Sequence, residues 1–184
     1  MPTQKITREE MMFKSISVFR QKGYYRTNMS DLAKTCGLTK GAFYHHFSSK
    51  AEVMQNALLA TASWFNEYVF AIAYNPDLDG KTKLLKMSEI TLKAFTRERG
   101  GCFFANTILE TAHVEDTFKP IIIDYFQQWQ LALEHIFQSK YSSTKATTIS
   151  TQIISDIEGS IILMQLHDDV NYLQNAIDRC LKLY

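Results

Sequence analysis

The sequence predicts an all-α protein of about nine helices, with three short ones in residues 1–50 and the rest in a larger helical part, residues 51–184. Three observations predict it. Apolar residues recur at spacings of three and four along most of the chain, and no stretch shows the strict alternation of a strand. Only seven Gly and three Pro punctuate 184 residues, which leaves few turns and favours long helices. The breaks that do occur are rich in turn formers or polar residues: NPDLDG at 75–80, RERGG at 97–101 and SKYSSTK at 139–145.

The first helix spans Thr7 to Lys22. Met11, Met12, Ser15, Val18 and Phe19 share a face, Thr7 and Glu10 form a capping box, and Gly23 supplies the stop. A short helix follows Asn28, with Leu32, Ala33 and Cys36 on one side, and Gly37 ends it. Thr39 caps a third helix that turns Phe43 and Phe47 inward at i and i+4. Ser49 and Glu52 read as a capping box for a long helix reaching about Tyr74. Helices at about 81–96 and 102–113 come next. Pro120 opens one that runs to about Gln138. The helix at about 146–166 carries Ile149, Ile153, Ile154, Ile157, Ile161, Ile162 and Met164 on more than one stripe, as a helix buried on two sides does. Asp168 or Asp169 caps a last helix, 170–183.

Charge separates the two parts. Residues 1–50 hold nine Lys or Arg against three acids, a net +6, so a whole-chain charge of +1 leaves −5 for the remainder. A basic module on an acidic body is the footprint of a nucleic-acid grip, although a solvated positive face gives the same asymmetry. Cys36, Cys102 and Cys180 are odd in number and widely spaced, which fits a reducing compartment rather than a disulfide framework. The opening MPTQKITREEMM has no apolar run and no stretch is long enough to span a membrane, so a cytoplasmic location is expected. Glu110-Thr111-Ala112-His113 is an ExxH, but a di-iron bundle needs a second ExxH and two more glutamates. No HExxH, GxSxG, P-loop or GxGxxG occurs, so neither enzyme activity, metal nor cofactor is expected.

The stretch Thr27 to Lys50 has the parts of a helix-turn-helix: a first helix packed on a core, a tight turn at Gly37, and a second helix with one face left polar. The run GLTKGAFYHHFSSKAEV, with MM..S..VF....GY..T upstream, resembles the DNA-binding domain of the TetR/AcrR family of transcriptional regulators. Ser15 and Cys36 stand where alanine is common, and Phe13 is bulkier than usual. Over the C-terminal 130 or so residues the resemblance reduces to helix count and to DIEGSIIL at 156–163, which looks like the family's dimerising helix. The resemblance implies an Ω-shaped homodimer on a palindromic double-stranded operator, and a repressor released by a small-molecule inducer. It implies phosphate contacts from Thr27, Thr39, Tyr44 and Lys50, with Lys40, Gly41, Ala42 and His45 near the bases. The chemistry agrees: hydroxyls and ammonium groups suit phosphate, Lys40 can donate to a guanine, and the Ala42 methyl can meet a thymine methyl. Tyr44 could instead be half-buried core, but beside Phe43 and Phe47 it points elsewhere.

The resemblance also implies an inducer pocket among the C-terminal helices. Trp64, Tyr68, Phe103, Tyr125 and Trp129 supply aromatic bulk, though such stripes are often plain core. Cys102, Asn106, Glu110 and His113 share one face of a short helix, which either lines that pocket or is solvated. Cys102 follows Gly100 and Gly101 at a helix start, near Arg97 and Arg99. It is either a small buried residue or a sensor of electrophiles and oxidants. A constitutive DNA-binding dimer without a ligand is the other alternative. Ile153, Ile157, Ser160, Ile161, Met164, Leu173 and Ile177 are the expected dimer interface.

Overall fold

A computed structural model describes residues 6–97, 100–113 and 116–184, and every regular element among them is helical. The helices are α1 (Arg8–Lys22), α2 (Met29–Thr35), α3 (Lys40–Tyr44), α4 (Lys50–Tyr68), α5 (Gly80–Thr96), α6 (Phe103–Thr111), α7 (Lys119–Phe137), α8 (Ser143–His167) and α9 (Asn171–Lys182). Two 3₁₀ turns, Phe70–Tyr74 and Asp116–Phe118, complete the described elements. No helix among the described residues is long and apolar enough to cross a membrane.

Two compact units emerge, and the chain passes between them more than once. The first comprises residues 1–61 and 103–122, the second 62–102 and 123–184. α6 groups with the N-terminal helices in the first unit.

In the first unit the caps explain where helices start. Thr7 and Glu10 form the expected capping box. Asn28 and Asp31 form a second one. At α4 the expected box is only half made. Ser49 accepts the Glu52 N–H at 3.1 Å, while the Glu52 carboxylate bonds Ser48 and the Arg8 guanidinium instead. Those bonds hold the Glu52 carboxyl below its usual range. Met11, Phe19, Leu32, Ala33, Phe43, Phe47 and Val53 form the buried interior.

The second unit is built around aromatic rings. Phe65, Phe70, Tyr125 and Trp129 are all buried, with ring centres 5.4 to 6.4 Å apart from Phe65 to Tyr125, Phe70 to Tyr125 and Phe70 to Trp129. This packing accounts for the early end of α4 at Tyr68. The chain tightens into a 3₁₀ turn that seats Phe70 and Ala73 inside, where a continued α-helix was expected. Asp168 closes α8 in the left-handed conformation, with φ of 50°. Asp169 accepts the Asn171 N–H at 2.9 Å, but the N-cap of α9 is Val170, with no side-chain cap bond, rather than the expected Asp168 or Asp169.

Candidate functional site

The α2–α3 segment is assembled by short-range bonds. Asn28 Oδ1 accepts the N–H groups of Ser30 and Asp31, and Asp31 Oδ2 accepts the Asn28 N–H. The Lys22 ammonium, 2.8 Å from Asp31, ties α2 to α1; that bond and the Asn28 N–H hold the Asp31 carboxyl below its usual range. Gly37, at φ of 70°, makes the turn, and the Leu38 N–H returns to the Ala33 carbonyl. Thr39 then caps α3, its hydroxyl accepting the Ala42 N–H at 3.2 Å.

The two sides of α3 differ sharply. Phe43 and Phe47 are fully buried, their ring centres 5.3 Å apart. Thr39, Lys40, Gly41, Tyr44 and His45 are exposed and Ala42 is half-buried. Tyr44 keeps 44% of its surface in solvent, so it is not core. The Lys40 ammonium lies 5.9 Å from the centre of its ring, a cation–π pair on the outer face. A side chain added at Gly41 would meet nothing within 4 Å.

Two residues expected at phosphates are engaged elsewhere. Thr27 is 1% exposed and donates its hydroxyl to the Gly23 carbonyl at 2.7 Å. It fastens the α1–α2 turn rather than facing outward. Lys50 donates to the Tyr24 carbonyl at 2.7 Å, with its ammonium 4.2 Å from the centre of the Tyr24 ring. Burial pushes its pKa down, partly opposed by the nearby Glu110 carboxylate.

Glu110 corrects a further expectation. It is half-buried and its carboxylate accepts the N–H groups of Tyr24 at 2.8 Å and Tyr25 at 3.0 Å, so it is engaged with the α1–α2 turn of the first unit. No local signal could have shown this, since the partners stand 86 and 85 residues apart. Asn106 and His113 are exposed, and Phe103 is buried in the same unit.

In the second unit Trp64 and Tyr68 are exposed on α4, while Tyr125 and Trp129 belong to the ring cluster. A cleft of about 350 Å³ opens between Phe95, Thr96, Gly100, Gly101, Met164, Gln165, Asp168 and Val170. None of the nine residues expected around an inducer lines that cleft. Trp129 borders a void of about 30 Å³ with Thr91, Ile153 and Cys180 among its walls, room for about one water molecule. Cys102 is 2% exposed and hydrogen-bonds the carboxyl of Glu158 on α8. Arg97 is exposed, and Arg99 lies outside the described residues. The burial of Cys102 differs from the accessible setting of a reactive thiol.

Glu158 was missed. Burial pushes its carboxyl up to about 7, with the Cys102 bond pulling the other way, and Oε1 is buried with no hydrogen-bond partner among the described residues. An acid among the isoleucines of DIEGSIIL was the available signal.

The expected dimer face is mostly interior. Ile153, Ile157, Ser160, Ile161, Leu173 and Ile177 are at most 5% exposed within one protomer, and Met164 is half-buried. Of the two apolar stripes on α8, that one faces its own core. The other carries Gly159, Ile162, Leu163 and Leu166 outward, with Ile162 58% and Leu166 72% exposed.

The model of bacterial regulatory proteins of the tetR family matches residues 14–57. That of the C-terminal domain of LmrA/YxaF-like transcriptional regulators matches residues 84–179, more than half of the chain. An uncharacterized HTH-type transcriptional regulator of Bacillus subtilis, YxaF, is 21% identical over 89% of this chain and 87% of its own. The HTH-type transcriptional repressor DhaR of a Mycobacterium species is 19% identical over 86% and 82%. A TetR transcriptional regulator from Legionella pneumophila superposes with a TM-score of 0.89 at 18% identity, covering 100% of this chain and 99% of that one.

Proposed function

This chain belongs to the tetR family of bacterial regulatory proteins, and we propose that it is a homodimeric repressor that grips a palindromic operator with the outer face of α3 and leaves it when a small molecule binds the second unit. The single observation that carries the DNA reading is the asymmetry of α3. Phe43 and Phe47 fix it from behind, while Lys40, Gly41, Ala42, Tyr44 and His45 remain available in front. Gly41 has open space where a side chain would go, so the bare backbone has its use outside the protomer, at a closely approaching duplex. Lys40 reaches a guanine edge and the hydroxyls of Thr39 and Tyr44 reach phosphates.

A duplex enriched by the protein from a random-sequence pool supplies the probe. Lys40→Ala should weaken that duplex by about 1–3 kcal/mol and relax base preference at one position of each half-site. Melting should be unchanged, because Lys40 is exposed. Equal affinity of the variant for selected and scrambled duplexes alike to wild type would remove Lys40 from the reading face.

The exposed stripe Gly159, Ile162, Leu163 and Leu166 supports dimerisation through α8, because a second copy would cover apolar surface that a lone protomer leaves in water. Leu166→Asp should convert the dimer to monomer in sedimentation analysis, with loss of cooperative binding to the palindrome. A dimer that survives Leu166→Asp and Leu163→Asp together would place the interface elsewhere. The cleft of about 350 Å³ is within the range of small-molecule sites.

A further inference from the structure

One backbone residue in the first unit is held by two charges from two helices. The Tyr24 N–H is taken by the Glu110 carboxylate of α6 at 2.8 Å, and the Tyr24 carbonyl by the Lys50 ammonium of α4 at 2.7 Å. The second Glu110 oxygen takes the Tyr25 N–H at 3.0 Å. Both carboxylate oxygens are thus occupied by successive peptide groups of the α1–α2 turn, a fit that a side chain at residue 23 would prevent. Gly23 has φ of +77°, and a Cβ placed on it would lie 2.8 Å from each Glu110 oxygen. The Tyr24 ring is seated as well, 5.0 Å from Phe118 and 6.3 Å from Phe19.

The position of this turn matters because α2 begins at Met29, only four residues after Tyr25, and α2 carries α3 through the Gly37 turn. Thr27 in between is locked to Gly23. A change at Tyr24 and Tyr25 therefore moves the start of the helix-turn-helix relative to α1 and α4.

We propose that Glu110 of α6 is a positioning residue for the DNA-reading face: it fixes the α1–α2 turn through the Tyr24 and Tyr25 N–H groups and shares Tyr24 with Lys50, so that α6 sets how well α3 is presented. This rests on the DNA reading above and names the element that regulates it. Charge-assisted bonds to a carboxylate are the strong class, and here two are made, the one to Tyr24 partly buried. Lys50 shares the arrangement, its cation balancing the carboxylate across one peptide group.

The test uses the full chain with Glu110→Gln and Glu110→Ala, read by amide hydrogen exchange and by binding to the enriched duplex. Exchange at Tyr24 and Tyr25 should accelerate roughly tenfold or more in the alanine variant, with amides of the α5 and α8 interiors unchanged. Duplex affinity should fall roughly tenfold, less for glutamine, whose amide oxygen can still accept one N–H. The slope of log affinity against log salt should stay at the wild-type value, because no phosphate contact is removed. That unchanged slope separates positioning from direct contact. If the wild type binds the duplex and both variants bind it equally well, the proposal falls alone. If the glutamine variant folds with wild-type exchange at Tyr24 and Tyr25, the clamp itself is overturned. If the wild type selects no duplex, the DNA reading falls and takes this proposal with it.

Discussion

Phe43→Ala is expected to cost about 3–5 kcal/mol of stability and to abolish sequence-specific DNA binding. Phe43 is completely buried, and its ring lies 5.3 Å from that of Phe47. Truncation leaves a cavity behind a helix of only five residues, Lys40 to Tyr44, too short to hold itself without that anchor. The adjacent residue gives the control. Tyr44 is 44% exposed, so Tyr44→Ala should change stability by no more than about 0.5 kcal/mol while still weakening DNA. Thermal melting with duplex binding checks both. A Phe43→Ala variant that melts like wild type would contradict the account of how α3 is seated.

The second large effect concerns pH. Glu158 has an ordinary carboxyl value of 4.5 when exposed and one pushed up to about 7 by burial in the fold. Between those values the folded chain keeps a proton that the unfolded chain has released. Stability from this group is therefore present at the acid end, falls as pH rises through the window, and is lost above pH 7. The difference corresponds to on the order of 3 kcal/mol. Asp31 and Glu52, held low by their partners, act in the opposite sense, but at pH values below this window. Urea denaturation at pH 5 and pH 8 should show wild type weaker at pH 8, and Glu158→Gln should flatten that dependence. Equal slopes in the two proteins would show that Glu158 is not the titrating group.

The architecture and the two-sided character of α3 were legible in the sequence because their signals are local. The Thr7–Glu10 box, the Gly23 and Gly37 turns and the i, i+4 pair Phe43 and Phe47 all act within a few residues. What failed to appear depends on distant partners. Glu110 shares a helical face with Asn106, and periodicity alone cannot say that its carboxylate finds a turn 85 residues earlier. Thr27 and Lys50 have side chains suited to phosphate, and the fold uses both on backbone carbonyls instead. On α8, two apolar stripes are both visible, but only the packing of Ile153, Ile157 and Ile161 inside shows that Ile162, Leu163 and Leu166 form the outward one. Phe70 likewise ends α4 early through ring contacts with Tyr125 and Trp129 that no local rule contains.

Binding of the wild-type chain to a duplex enriched from a random pool, followed through a salt titration beside a scrambled duplex, tests the central claim most directly. The account predicts enrichment of a palindrome with half-sites one helical turn apart, about 34–36 Å. It also predicts a log–log slope of about −0.9 for each phosphate contacted, with tighter binding to the selected sequence at every salt concentration. No enriched sequence and a flat salt profile would contradict it.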